Sequence, residues 1–167
     1  MNEAAGTALV TGGAKRIGKA IVEDLAAHGF AVAIHANKSL TEAEALAARI
    51  REAGGRASAL AADLTDMDAV GDLVGRAGAA LGPVTLLVNN ASLFVDDSVQ
   101  DFDWQAWDRH FAVHIKAPAL LAQTFARALP RGQEGLIVNI IDERVWRPTP
   151  RYFSYACLLY TSPSPRD

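Results

Sequence analysis

The chain has 167 residues, half of them hydrophobic, with a formal net charge of −3. That length suits one domain, and mild acidity without a basic stripe or tail speaks against nucleic-acid binding. No apolar run approaches the ~18 residues of a membrane span, and the single cysteine, Cys157, rules out an internal disulfide framework.

The short polar start, residues 1–6, does not read as a signal peptide, so a cytoplasmic location is the expectation. Thr7–Val10 is the first apolar run and leads directly into glycines. Ile17, Ile21 and Leu25 then recur at four-residue spacing, with Gly29 standing where that helix would end. Residues 30–34 form the second apolar run. Ser39-Leu40-Thr41-Glu42 fits a capping box, and Leu46, Ala47 and Ile50 continue one helical face. Residues 57–62 give a third strand, followed by a helical stripe of Val70, Leu73, Val74, Ala77 and Leu81. Residues 84–88 give the fourth strand, 103–129 read as one long helix kinked at Pro118, and 136–141 give the fifth strand. A helix is expected around Tyr155, but Thr161-Ser162-Pro163-Ser164-Pro165 cannot continue one.

Near-continuous apolar runs suit strands buried on both faces of a parallel sheet. Their alternation with helices predicts an α/β doubly wound fold with right-handed crossovers, without repeats or linkers.

The turn after the first strand is Thr11-Gly12-Gly13-Ala14-Lys15-Arg16-Ile17-Gly18. Glycines there let the backbone turn sharply and approach a pyrophosphate, which the N–H groups of the following helix attract. The second strand ends in His35-Ala36-Asn37-Lys38-Ser39, without the carboxylate that would bind ribose hydroxyls. Lys38, Ser39 and Arg16 suit a 2′-phosphate, so NADP(H) is expected rather than NAD(H); solvated cations and a plain N-cap serine are the alternative. The four histidines, His28, His35, His110 and His114, have no metal-ligand spacing, and no metal is expected.

The turn resembles the T-G-x-x-x-G-x-G turn of the short-chain dehydrogenase/reductase family, with Arg16 in place of the middle glycine. Asn89-Asn90-Ala91-Ser92 resembles the family's N-N-A-G segment, with Ser92 in place of glycine. By that resemblance Asn89 steadies the sheet, Asn90 and Ala91 line the nicotinamide ribose, and Asp63-Leu64 meets the adenine. The run from Asn90 to Phe94 is similar to the pteridine reductases of the family, in which a serine and an aromatic two residues later bracket the pterin. Most members have a catalytic serine thirteen residues before the catalytic tyrosine. Asp142 holds that position relative to Tyr155, and pteridine reductases also have an aspartate there. Tyr155 is then the proton donor, with Tyr152 a weaker candidate. The family's lysine four residues on is replaced by Leu159, and His114 stands where an asparagine holds a relay water. Each residue has a plainer alternative: Phe94 a core or lid ring, Asp142 and Asp63 caps, His114 a satisfied helix histidine.

The resemblance implies a Rossmann-type sheet in the order 3-2-1-4-5, truncated after the fifth strand. It implies an NADPH-dependent reductase that transfers hydride to a pterin-like ring, with a generic carbonyl or 3-oxoacyl reductase as the alternative. A non-catalytic dinucleotide-binding module is the alternative of another class. A small-molecule substrate and a homotetrameric or homodimeric intact parent are implied too. The likeness runs from Thr7 to about Ala156, after which residues 157–167 look like the translation of a transposase adapter used in DNA library preparation. The reading is therefore an incomplete NADP(H)-binding domain over 1–156 and a non-native tail over 157–167. Such a chain is expected to be inactive and poorly folded, with an exposed sheet edge.

Overall fold

The computed structural model describes residues 5–147 and 151–161, so the proline-containing end of the expected tail, 162–167, lies outside the described residues. Among the described residues, five strands form one sheet: β1 (Thr7–Val10), β2 (Ala31–Ala36), β3 (Ala57–Ala61), β4 (Val84–Asn89) and β5 (Leu136–Asn139). All pair in parallel, in the order β3-β2-β1-β4-β5. The α-helices that accompany them are α1 (Arg16–Ala27), α2 (Leu40–Glu52), α3 (Met67–Leu81), α4 (Trp104–Phe111), α5 (Ala117–Ala128) and α6 (Phe153–Thr161).

Side chains on a strand alternate between faces, and β1 shows why its apolar run is unbroken. Leu9 joins Ala33 and Leu87 in a core layer closed by Leu73, Val74 and Ala77 of α3 and by Leu121 and Phe125 of α5. Ala8 and Val10 point the other way, into a layer with Val32, Ile34 and Val88 closed by Val22 of α1 and Leu46, Ala47 and Ile50 of α2. Both faces are covered, as a doubly wound sheet requires.

The structure corrects three details. Ser39 makes no side-chain cap bond, and Glu42 instead pairs with Lys15, 2.6 Å away, so no capping box forms. The expected long helix is broken into α4, a π turn at Ala112–Lys116, and α5. The break precedes Pro118, which sits in the first turn of α5, where its missing N–H costs least. β2 runs on to Ala36, while β5 stops at Asn139. Among the described residues β5 is also an edge strand, bonded only to β4, and Leu136 on it is 59% exposed.

Leu87 is fully buried in the middle of the sheet. Leu87→Ala is expected to cost about 2–5 kcal/mol, read as a lower urea midpoint. Val99→Ala, at an exposed position, is expected to shift stability by no more than ~0.5 kcal/mol.

Candidate active site

A groove of about 1080 Å³ lies along the carboxyl ends of the strands. Gly12, Arg16, Ile17, Gly18, His35, Asn37, Lys38, Ser39, Asp63, Leu64, Asn90, Ala91, Ser92, Phe94, His114, Asp142 and Tyr155 all line it. Residues far apart in sequence are thus brought to one wall-to-wall cleft, beside the point where chain order reverses between β1 and β4. Thr11 lies behind this surface and is buried.

At one end is the turn between β1 and α1. Gly12 has φ +63°, and a Cβ on it would come 2.9 Å from Ala91 Cα. A Cβ on Gly18 would fall 2.1 Å from the Gly12 carbonyl oxygen and 2.6 Å from Asn90 Nδ2. The turn is stapled to the end of β4 by polar bonds. Thr11 Oγ1 accepts the N–H groups of Asn90 and Ala91 at 2.9 and 3.0 Å, and Asn90 Nδ2 donates to the carbonyl oxygens of Thr11 and Gly12 at 2.9 and 3.2 Å.

His35 braces the same turn from β2. Its Nδ1 accepts the Gly12 N–H at 3.1 Å, which leaves Nε2–H to donate to the Ala62 carbonyl at 3.1 Å. Both ring nitrogens are spent inside the protein, and the ring must be neutral to make both bonds. Burial pushes its pKa below the ordinary value, with Arg76 adding to this; the Ala62 bond and Asp63 pull the other way. Thr11 and His35 therefore support the turn, and His35 also lines the groove.

The N-terminus of α1 has no side-chain cap bond and no acidic residue in its first turn, whereas Asp66 caps α3 and Asp103 caps α4. Its free N–H groups, with Lys15 and Arg16 beside them, fit an anion such as a dinucleotide pyrophosphate. Asp63 accepts from the Thr65 backbone and hydroxyl at 2.9 and 2.8 Å, and these bonds hold its carboxyl below the usual range.

At the other end, Tyr155 projects from the first turns of α6. Its hydroxyl donates to Asp142 Oδ2 across 3.4 Å. Asp142 also accepts the Arg144 N–H on Oδ1 and Arg144 Nη1 on Oδ2, both at 2.9 Å. Burial first, then the Asp142 charge and hydrogen bond, push the Tyr155 pKa up to about 12; Arg144 and a bond with Ser92 oppose this. Phe94, itself 42% exposed, packs against Tyr152 at 4.3 Å and Tyr155 at 4.8 Å between ring centroids. The Arg144 guanidinium lies 4.9 Å from the centre of the Phe94 ring and 5.2 Å from that of Tyr152.

His114 Nε2 sits 2.9 Å from the Leu93 carbonyl oxygen and 3.1 Å from its N–H, and burial lowers its pKa. Asn89 Nδ2 donates to Asn139 Oδ1 at 2.8 Å, tying β4 to β5 as expected. Leu159 is buried with Leu158 and Tyr155 against Phe111, Ile115 and Tyr152, so this position brings no cation to the phenol. Arg144 was not singled out in the sequence; its signal was a cation two residues after a candidate carboxylate.

Residues 6–157 match the family model described as short chain dehydrogenase. The chain belongs to this family. FolM Alternative dihydrofolate reductase 1 from Brucella canis, complexed with NADP, is 55% identical, with a TM-score of 0.89 over 95% of this chain and 64% of that one. The protein of the same name from Brucella suis, in complex with NADP, is 55% identical with a TM-score of 0.90, over 95% of this chain and 66% of that one. The sorbitol dehydrogenase of Cereibacter sphaeroides is 36% identical over 138 residues, 82% of this chain and 52% of that protein. The chain spans about half the length of the curated relatives it matches. Among the described residues, no helix is long and apolar enough to cross a membrane.

His35, His110 and His114 are all held below the ordinary histidine pKa. As pH falls below about 6.5, the unfolded chain takes up these protons before the folded one. The stability that the neutral rings contribute is fully present above that pH and is lost as pH falls toward the folded values. Urea midpoints are expected to drop between about pH 7.5 and 5.5, and His35→Phe is expected to shrink that drop. A drop of the same size in the variant contradicts the assignment.

Proposed function

We propose that this chain is the nucleotide-binding part, over 1–156, of an NADPH-dependent reductase acting on a pterin-like ring. Asp142 carries the reading. It is paired with Arg144 and, among the described residues, accepts every hydrogen bond it makes. A carboxylate in that state cannot donate to the oxyanion that forms when a ketone is reduced, and it would repel one. It does suit the N–H and amino groups of a pterin edge, and the partly exposed Phe94 ring offers aromatic surface to a flat heterocycle. The two FolM structures, 55% identical and named as alternative dihydrofolate reductases with NADP, fit the same branch. For this reason reduction of a simple carbonyl compound is the second reading, although the sorbitol dehydrogenase relative keeps it in view.

In this reading the Gly12–Gly18 backbone and the open end of α1 hold the pyrophosphate. Arg16, Lys38 and Ser39, with Asn37 beside them, hold the 2′-phosphate. Asp63 and Leu64 meet the adenine, and Asn90, Ala91 and Ser92 flank the nicotinamide side. Thr11 and His35 keep the turn in place. When bound, the reduced nicotinamide supplies the hydride.

Tyr155 holds the proton. Its raised pKa keeps the phenol protonated at neutral pH, with the hydroxyl proton directed at Asp142. Passing that proton to a ring nitrogen leaves a buried phenolate beside a carboxylate, with Arg144 the cation that offsets it. Leu159 adds no charge, so the 167-residue chain by itself is proposed to be inactive. His114 holds the Leu93 backbone on the groove wall and is proposed to order the relay beside Tyr155.

The test is NADPH oxidation followed by its absorbance in the protein at the full length of its relatives, with a dihydropterin and with a ketone. Dihydropterin turnover is expected, with Tyr155→Phe lowering kcat by roughly 10²–10⁴-fold. Unchanged turnover in that variant sinks the enzymatic reading and leaves a dinucleotide-binding module. Faster ketone than dihydropterin turnover replaces the pterin reading with the carbonyl one. For the cofactor, Arg16→Ala combined with Lys38→Ala is expected to weaken NADPH roughly ten-fold or more and NADH by clearly less, by fluorescence titration.

A further inference from the structure

Three buried side chains next to Tyr155 take no part in the groove. Asp97 lies in the stretch after β4, His110 on α4 and Ser154 on α6, and they are 7%, 0% and 0% exposed. His110 Nδ1 is 2.6 Å from Ser154 Oγ, and Ser154 Oγ is hydrogen-bonded to Asp97 Oδ2. The Ser154 N–H donates to Asp97 Oδ1 at 3.2 Å, and the Phe153 N–H to the Asp97 carbonyl at 3.3 Å. Asp97 therefore serves the otherwise open first turn of α6 with both its carboxylate and its backbone.

Proton counting gives this chain a direction. A carboxylate only accepts, so Ser154 gives its single hydroxyl proton to Asp97. Ser154 Oγ must then accept from His110 Nδ1–H. That requires a proton on His110 Nδ1, and in the neutral ring Nε2 then keeps a bare lone pair. Burial, aided by His114, favours the neutral ring, against the pull of Asp97. Nε2 is fully buried and has no hydrogen-bond partner among the described residues.

The network joins three elements at the residue before Tyr155. The Tyr155 ring stands 6.2 Å from His110 and 5.1 Å from His114, and its hydroxyl reaches Asp142 only at the long limit of a hydrogen bond, 3.4 Å. A small rotation of α6 would therefore make or lose that contact. We infer that Asp97, Ser154 and His110 form a directional, buried positioning network that sets the pitch of α6 and aims the Tyr155 hydroxyl. The inference rests on Tyr155 being the proton donor proposed above.

The test uses the protein at full length and has two readouts. Imidazole nitrogen NMR spectra at neutral pH are expected to show His110 protonated at Nδ1 and bare at Nε2. A ring bare at Nδ1 overturns the network's direction and the inference with it, whereas a doubly protonated ring keeps the Nδ1–H donor and the same direction. In kinetics, His110→Phe is expected to lower kcat on the order of ten- to a hundred-fold, the scale of a misaimed catalytic group, with KM for NADPH unchanged. His110→Asn, whose amide N–H can still donate to Ser154, is expected to recover most of kcat. The substitutions Ser154→Thr and Ser154→Val, which match each other in shape, keep the comparison open if a histidine variant does not melt cooperatively. The threonine form is expected to stay active and the valine form to fall. Equal loss in His110→Asn and His110→Phe, or equal kcat in Ser154→Thr and Ser154→Val, overturns the inference. Absence of any reductase activity in the unmodified protein defeats the proposed function instead, and the nitrogen spectrum still decides the network.

Discussion

The site depends first on the close approach of two backbones, the turn after β1 and the end of β4. Nothing larger than hydrogen fits at Gly18 against the Gly12 carbonyl, or at Gly12 against Ala91 without displacement. The contact is then locked by polar bonds from both sides, with the Thr11 hydroxyl accepting from one strand end and Asn90 reaching back to the turn. The two partners belong to β1 and β4, neighbours in the sheet but distant in sequence, so the junction depends on the sheet pairing. The open end of α1 and the floor of the groove are consequences of that one junction.

The opposite end of the groove is governed by charge and not by close packing. Asp142, Arg144 and Tyr155 share one small, half-buried space, and each sets the state of the others. Arg144 keeps the carboxylate in place, burial together with the carboxylate keeps the phenol protonated, and the aromatic rings of Phe94 and Tyr152 lie beside the guanidinium. This end is polar, aromatic and built from loop residues, while the phosphate end is built from backbone. The two halves thus suit different parts of a ligand.

What was legible in the sequence follows from this division. Strands buried on both faces announce themselves as unbroken apolar runs, which made β1, β2 and β4 legible, while the order 3-2-1-4-5 came from the family resemblance and β5 is an apolar run left largely exposed. The glycine turn was legible because backbone approach leaves a composition signature. Thr11 and His35 stand where the sequence suggests, and the structure adds that both brace the turn by hydrogen bonds the sequence does not reveal. The capping box at Ser39 failed because Glu42 found a better partner in Lys15, which approaches from the start of α1. Asp97, Ser154 and His110 left almost no trace, because their bonds span 44 and 57 residues of sequence. The four-residue spacing of His110 and His114 on one helical face was the only hint.

The π turn at Ala112–Lys116 has a consequence for how one stretch of chain serves two neighbourhoods. On its amino side, His110 and Phe111 face the Tyr155 cluster; on its carboxyl side, Ala117, Leu121 and Phe125 fill the core beneath the sheet. A continuous α-helix advances by about 100° per residue, which fixes the phase of one face once the other is set. The wider turn slips that phase, letting α4 and α5 be orientated independently. Removing one residue from the turn would rejoin the two ladders and swing either the histidine away from Ser154 or Leu121 and Phe125 away from the core. The irregular turn is therefore the coupling at which the demands of the groove's polar end and of core packing are reconciled.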